Sequence, residues 1–332
     1  MKDAKRWLPG ALISIGLIAA ILYFVDLREM AVAMRNADYT RLTIAFAIGF
    51  AWMVLRSLVW WTLLLNRGTY KDVFWSLCAG YLLNAMLPFR LGELGRAFLL
   101  SRKTDMKFTE ILPTIVIERV VDLGFSAAIL LAALPFVAKV EGSERVGYIA
   151  AVAVGLGLFI MYVLARNNQW ALDLFHRLSA RWPALQRFGG NFLESFFSGL
   201  GVLTDGWLFL RFLFWMTLNW GLAIVSYYFI VSAFFPEANV IWAMFGLGMA
   251  AFGGAIPSLP GGVGTREGVI TLAMKLLSND DSASFAMALT VRFYDYLNVG
   301  ILGGIAMSRE GETLSGIYHQ LMSLRNKENK IS

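Results

Sequence analysis

Long apolar runs separated by short polar stretches set the plan of this chain. Six of them approach or exceed the about 20 residues that a helix needs to cross a bilayer: 8–25, 42–65, 111–137, 146–165, 208–234 and 285–307. Three more are interrupted. Residues 73–87 stop at Pro88, 240–256 stop at Pro257, and 263–277 resume after a glycine-rich break. At 1.5 Å per residue, the interrupted runs reach roughly 22–25 Å, short of the roughly 30 Å hydrocarbon core. The pattern predicts an all-α polytopic membrane protein with about eight transmembrane helices plus re-entrant or broken helices. Exposed backbone at such breaks survives in a membrane only when protein buries it or it lines a wet cavity. Residues 167–206 differ: Trp170, Leu174, Phe175, Leu178 and Trp182 mix with His176, Arg177, Arg181 and Arg187. This reads as an amphipathic connector lying along the membrane surface, or as a solvated helix. The tail after Arg309 is polar and short, so residues 1–332 read as a single membrane domain.

Composition agrees. Hydrophobic residues make up 58% of the chain and charged residues 16%, against about 25% charged in a soluble domain. The net charge of +6 has a topological reading. With the N-terminus inside and each interrupted segment returning to its own side, one face collects Lys2, Lys5, Arg6, Arg67, Lys71, Arg102, Lys103, Lys107 and most basic residues after Arg166. The other holds Arg28, Arg35, Arg41, Lys139 and Arg145. Basic residues mark the cytoplasmic side, which puts both termini there. No base-reading motif accompanies the charge, so nucleic acid is not expected as a partner. The single Cys78 and the distant His176 and His319 provide no disulfide, metal cluster or catalytic triad. No catalytic residue, metal or cofactor is expected, and no P-loop lysine suggests a nucleotide.

A weak duplication is the most informative feature. Leu87-Pro88-Phe89-Arg90-Leu91-Gly92-Glu93-Leu94-Gly95-Arg96 has a counterpart in Leu259-Pro260-Gly261-Gly262-Val263-Gly264-Thr265-Arg266-Glu267-Gly268. Each is followed by a spanning helix bearing Arg-x-x-Asp, first Arg119 and Asp122, then Arg292 and Asp295. The spacing from Glu93 to Arg119 is close to that from Glu267 to Arg292. Two repeats are expected, about 40–138 and 208–307. Three spans separate corresponding elements, and an odd number inverts the second copy. Paired broken helices in inverted repeats characterise transporters, with the site near the midplane.

Glu118, Arg119, Asp122, Arg292 and Asp295 lie inside apolar helices, where a central charge costs at least about 2.5–3.5 kcal/mol. Residues i and i+3 share a helix face, so each Arg-x-x-Asp is expected to neutralise itself. Such pairs either glue the bundle or present guanidinium groups to a lipid phosphate. Arg90, Glu93, Arg96, Arg266 and Glu267 sit at the breaks, where a headgroup enters or an interface is anchored. Asn84 is a lone amide, suited to packing or binding. Pro88, Gly92, Pro257, Pro260, Gly261, Gly262 and Gly264 shape the breaks.

The elements Asn84…Pro88-x-Arg90-x-Gly92-Glu93-x-x-Arg96, Glu118-Arg119-x-x-Asp122 and Pro257-x-x-Pro260-Gly261-Gly262-x-Gly264-x-x-Glu267 resemble the lysylphosphatidylglycerol synthase transmembrane, or flippase-like, family. The resemblance covers nearly the whole chain. It implies multi-pass spans with re-entrant segments in a bacterial or archaeal cell membrane, and translocation of an anionic phospholipid or polyprenyl-phosphate lipid. The soluble synthase half of the bifunctional relatives is missing, which counts against lysyl transfer. Alternatives are a membrane enzyme for glycosyl or aminoacyl transfer to a lipid phosphate, or an accessory subunit. Partners would be membrane lipids, a second copy or a lipid-modifying enzyme.

Overall fold

The computed structural model describes residues 27–87, 91–138, 205–254 and 263–310, with Arg145, Val152, Leu156 and Arg177 singly. The apolar runs 8–25 and 146–165, nearly all of the 167–206 connector, both termini, and the break residues Pro88, Arg90, Pro257, Pro260, Gly261 and Gly262 lie outside the described residues.

The described residues form helices, with no strand among them: α1 Leu27–Asn36, α2 Tyr39–Leu63, α3 Tyr70–Met86, α4 Leu91–Ser101, α5 Phe108–Ala138, α6 Gly206–Phe234, α7 Val240–Gly253, α8 Thr265–Ser278 and α9 Asp281–Glu310. The protein is an all-α membrane protein. Helices α2, α5 and α6 are long and apolar enough to span a bilayer. Helix α9 matches them in length but carries Arg292 and Asp295 in its middle. The interrupted runs are helices too short to span alone: α3 has 17 residues, α7 and α8 have 14 each. The arm after the first break begins at Leu91, earlier than hydropathy suggests, because its first turns hold Gly92, Glu93 and Gly95.

Polar caps fix where several helices start. Asp38, Asp205 and Asn239 each accept the first backbone N–H groups of α2, α6 and α7, satisfying donors that a helix start leaves open. Thr69 does the same for α3.

Among the described residues the core falls into three apolar clusters, and α2 pairs along α6 in a long seam. Asp38 N–H donates to Ala233 O (3.0 Å), Arg41 to Ser232 O (2.7 Å), Ser226 to Ala45 O (3.3 Å) and Asn219 to Trp52 O (3.2 Å). As numbers rise along α2 they fall along α6, so the two helices run antiparallel. Around this seam the packing partners come in matched sets. Helix α3 folds onto α4 and α7 onto α8; α5 crosses α7 and α9 crosses α3.

Glycines mark the closest crossings. A Cβ on Gly92 would overlap the Gly80 carbonyl, and one on Gly80 would lie 2.7 Å from Arg96 Cβ. In the second set, a Cβ on Gly253 would lie 2.9 Å from Val269 Cβ and 3.4 Å from Arg266 Cα. A Cβ on Gly248 would press on Leu130, and one on Gly303 would press on Leu82. Gly80, Arg96 and Leu130 each lie 173 residues before Gly253, Val269 and Gly303.

Candidate functional site

Six charged side chains form an alternating ladder between α2, α4 and α5. Arg96 (α4) reaches Glu118 (α5) at 3.0 Å; Glu118 also pairs with Arg56 (α2). Arg56 grips Asp122 (α5) with both terminal nitrogens, one at 2.8 Å. Asp122 meets Arg119 at 3.5 Å, and Arg119 Nε meets Glu93 (α4) at 2.8 Å. Three positive and three negative charges alternate, so the ladder is neutral.

The ladder is sealed at one end and open at the other. Glu118 is wholly buried and Arg56 and Arg96 are 2% exposed. The side chains of Asp122, Glu93 and Arg119 are 14%, 18% and 29% exposed. The sealed end is held by aromatic packing. The Arg96 guanidinium lies 4.6 Å from the Trp60 ring, and Trp60 donates to Thr114 at 3.1 Å. Helix α6 touches the ladder as well: Trp220 Nε1 donates to Asp122 at 3.3 Å, and Met216 Sδ lies 3.9 Å from Arg56.

A second, smaller cluster joins α8 and α9. Arg292 pairs with Glu267, and Arg266 with Asp295. The first pair is mostly buried, at 11% and 8% side-chain exposure; the second is open, at 26% and 45%. Glu267 also holds the break in shape. Its second oxygen accepts the Gly264 N–H at 2.8 Å, and Gly264 turns there with φ of +88°, a conformation that costs glycine least. The Arg292 guanidinium lies 5.2 Å from the Tyr296 ring.

The sequence-predicted residues thus fall into two groups. Glu93, Arg96, Glu118, Arg119 and Asp122 make the ladder; Arg266, Glu267, Arg292 and Asp295 make the second cluster. The expected i, i+3 neutralisation holds for Arg119 with Asp122. On α9 the geometry corrects it: Arg292 and Asp295 are each engaged by a residue of α8. The hairpin brings α8 against α9, and Glu267 and Arg266 point at them from across that contact. Asn84 lies at the α3–α4 crossing, where its Oδ1 would be 2.7 Å from a Gly92 Cβ, and that oxygen is buried without a hydrogen bond. Sequence reading missed Arg56, the residue that joins two ladder acids. Its signal was there, as a charge alone in the middle of the 42–65 run.

The family model described as the lysylphosphatidylglycerol synthase TM region matches residues 7–303. The chain belongs to that family. Family membership ties the protein to membrane lipids. Among curated relatives, a UPF0104 membrane protein of Methanothermobacter thermautotrophicus is 23% identical over 337 residues, covering 98% of this chain and all of the relative. A second from that organism is 24% identical over 332 residues, covering 92% of this chain and 96% of the relative. A UPF0104 membrane protein of Methanocaldococcus jannaschii is 24% identical over 223 residues, 67% of this chain and 92% of its own length. No solved structure matches this member of the family.

Proposed function

We propose that this family member carries the phosphate headgroup of an anionic phospholipid or polyprenyl-phosphate lipid across the cell membrane, while the tails stay in the bilayer. The observation that carries this reading is the placement of both ion clusters along one helix. Trp220 of α6 donates into the ladder, and Tyr227 of the same helix lies within electrostatic reach of Arg266 and Asp295. Seven residues separate them, about two turns and about 10 Å of rise on one helix face. Two stations that close together divide the roughly 30 Å core into short steps.

Each station offers an open end. At the ladder, a phosphate arriving beside Arg119 takes the place of Glu93, so the arginine exchanges one anion for another. At the second cluster, the phosphate displaces Asp295 from Arg266. Guanidinium suits this task because its fork of donors matches phosphate oxygens.

Two inverted copies fit the matched packing and the antiparallel α2–α6 seam, and they place the two hairpins so that they enter from opposite sides. The end that bears Arg67, Lys71, Arg102, Lys103, Lys107 and Arg309 is the cytoplasmic one on the basic-residue rule.

Reconstitution into liposomes with a fluorescent phosphatidylglycerol and a fluorescent polyprenyl phosphate tests the reading. Headgroup exchange between leaflets is expected to fall at least tenfold in Arg119→Gln and Arg266→Gln. Exchange no faster than in protein-free liposomes, or undiminished in both variants, rejects it.

A further inference from the structure

Tyr227 has a feature that packing does not explain. It is 4% exposed, yet its hydroxyl has no hydrogen-bond partner among the described residues. Its ring is well accommodated: it lies against Gly246 of α7, where a Cβ would come to 3.0 Å of Cε1. A phenylalanine would fill that space equally well. A buried hydroxyl stripped of water and left unpaired is destabilising, so the bare ring would be the more stable choice if packing were its only task. Within electrostatic reach of the hydroxyl are Arg266 and Asp295, the more open of the two pairs in the second cluster.

We infer that Tyr227 and Arg266 form an oxyanion subsite, in which the Tyr227 hydroxyl donates to a phosphate oxygen of the substrate while Arg266 supplies the countercharge. This rests on the transport reading and extends it by naming the group that completes the second station. Asp295 neutralises Arg266, and no described residue accepts a hydrogen bond from the Tyr227 hydroxyl. A phosphate is tetrahedral where the Asp295 carboxylate is planar, so its oxygens diverge and one ligand satisfies both the guanidinium and the hydroxyl. No bond is made or broken. The recognised chemistry is a phosphate monoester or diester oxyanion, whether carried by a lipid or free in solution.

The test uses the full chain in detergent micelles, with Tyr227→Phe as the main variant and Arg266→Gln as the second. Binding is read as the shift in unfolding temperature against concentration of phosphatidylglycerol, of inorganic phosphate, and of a phosphate-free galactosyl diacylglycerol. Tyr227→Phe is expected to unfold at or above the wild-type temperature without ligand, and to bind phosphatidylglycerol about tenfold more weakly. Arg266→Gln is expected to lose more, and the phosphate-free lipid to show no dependence on either residue. A hydroxyl-dependent shift with inorganic phosphate supports the subsite and names the free ion as a ligand. A shift confined to phosphatidylglycerol supports it and names the lipid. Equal affinity in wild type and Tyr227→Phe overturns it, as does a wild type that binds no phosphate compound. Hydroxyl-dependent binding without leaflet exchange in liposomes would reject transport and leave the subsite standing. Exchange with hydroxyl-independent affinity would do the reverse.

Discussion

Arg56 shows how a single residue organises the ladder. It is buried, and it holds Glu118 and Asp122 at once. Replacing it with alanine leaves three acids facing two arginines in a low-dielectric interior. Removing one partner of a buried ion pair costs about 3–5 kcal/mol, and Arg56→Ala should lower stability by that order in denaturant or thermal unfolding. Charge balance makes a sharper prediction. Glu118→Gln alone leaves an excess positive charge, but Arg56→Ala with Glu118→Gln restores neutrality. The double variant should therefore be less destabilised than the sum of the singles, with a coupling of about 1–3 kcal/mol. Additive losses would mean that the ladder does not act as one electrostatic unit. At this scale the sequence was partly readable. Arg119 and Asp122 stand out because their spacing repeats at Arg292 and Asp295. Arg56 has no such echo, and its partners lie 62 and 66 positions away, so spacing along one helix could not reveal it.

The element that shapes the first station is the α3–α4 hairpin, and its crossing depends on missing side chains. A methyl at Gly92 would collide with the Gly80 carbonyl and lie 2.5 Å from the Asn84 backbone nitrogen. Backbone cannot rotate away as a side chain can. Gly92→Ala should therefore cost at least the upper part of the about 1–3 kcal/mol typical of overpacking, and it should displace Glu93 and Arg96 from Arg119 and Glu118. Gly124 on α5 is the matched control. Nothing lies within 4 Å of its added Cβ, so Gly124→Ala should be neutral or stabilise the helix by about 0.5–1 kcal/mol. Unfolding temperatures of the two variants decide the matter, and equal effects would remove the close crossing as a determinant. Hydropathy located this hairpin through Pro88 and the shortened runs on either side. It did not reveal how near the arms approach, because a glycine at a crossing and a glycine facing lipid look alike in sequence. The same limit hid α1: its 10 residues are too few and too mixed to stand out, although Glu29 accepts a hydrogen bond from Ser282 at the start of α9.

At the scale of the molecule, the contacts divide the helix ends into two groups. Gly68 lies against Thr104, and Arg67 pairs with Glu110, which gathers the loops around 64–69 and 101–108 at one end. Asp38 bonds to Ala233, and Phe235 to Ala238, which places the 235–239 turn at the other. The duplicated Arg-x-x-Asp spacing is the sequence signal that bears on the whole molecule, and the inverted copies it suggests belong to the proposed reading. The α2–α6 seam had no comparable signal: backbone carbonyls, Ser226 and Asn219 do the joining, and such contacts follow no sequence period. The two ends also differ in charge, with Arg67, Lys71, Arg102, Lys103 and Lys107 outnumbering Asp72, Asp105 and Glu110 at the first, and Arg35 and Arg41 balanced by Asp38 and Glu237 at the second. The chain suits a sidedness experiment because Cys78 is its sole cysteine and is fully buried, out of reach of an aqueous maleimide. Single cysteines at Asp105 and Glu237, both exposed, then report on opposite ends. In intact cells a membrane-impermeant maleimide should label Glu237→Cys and should reach Asp105→Cys only after permeabilisation. Labelling of both from outside would break the two-ended arrangement. Labelling in the opposite order would keep the arrangement and reverse its orientation, so that the basic end would face outward against the positive-inside rule.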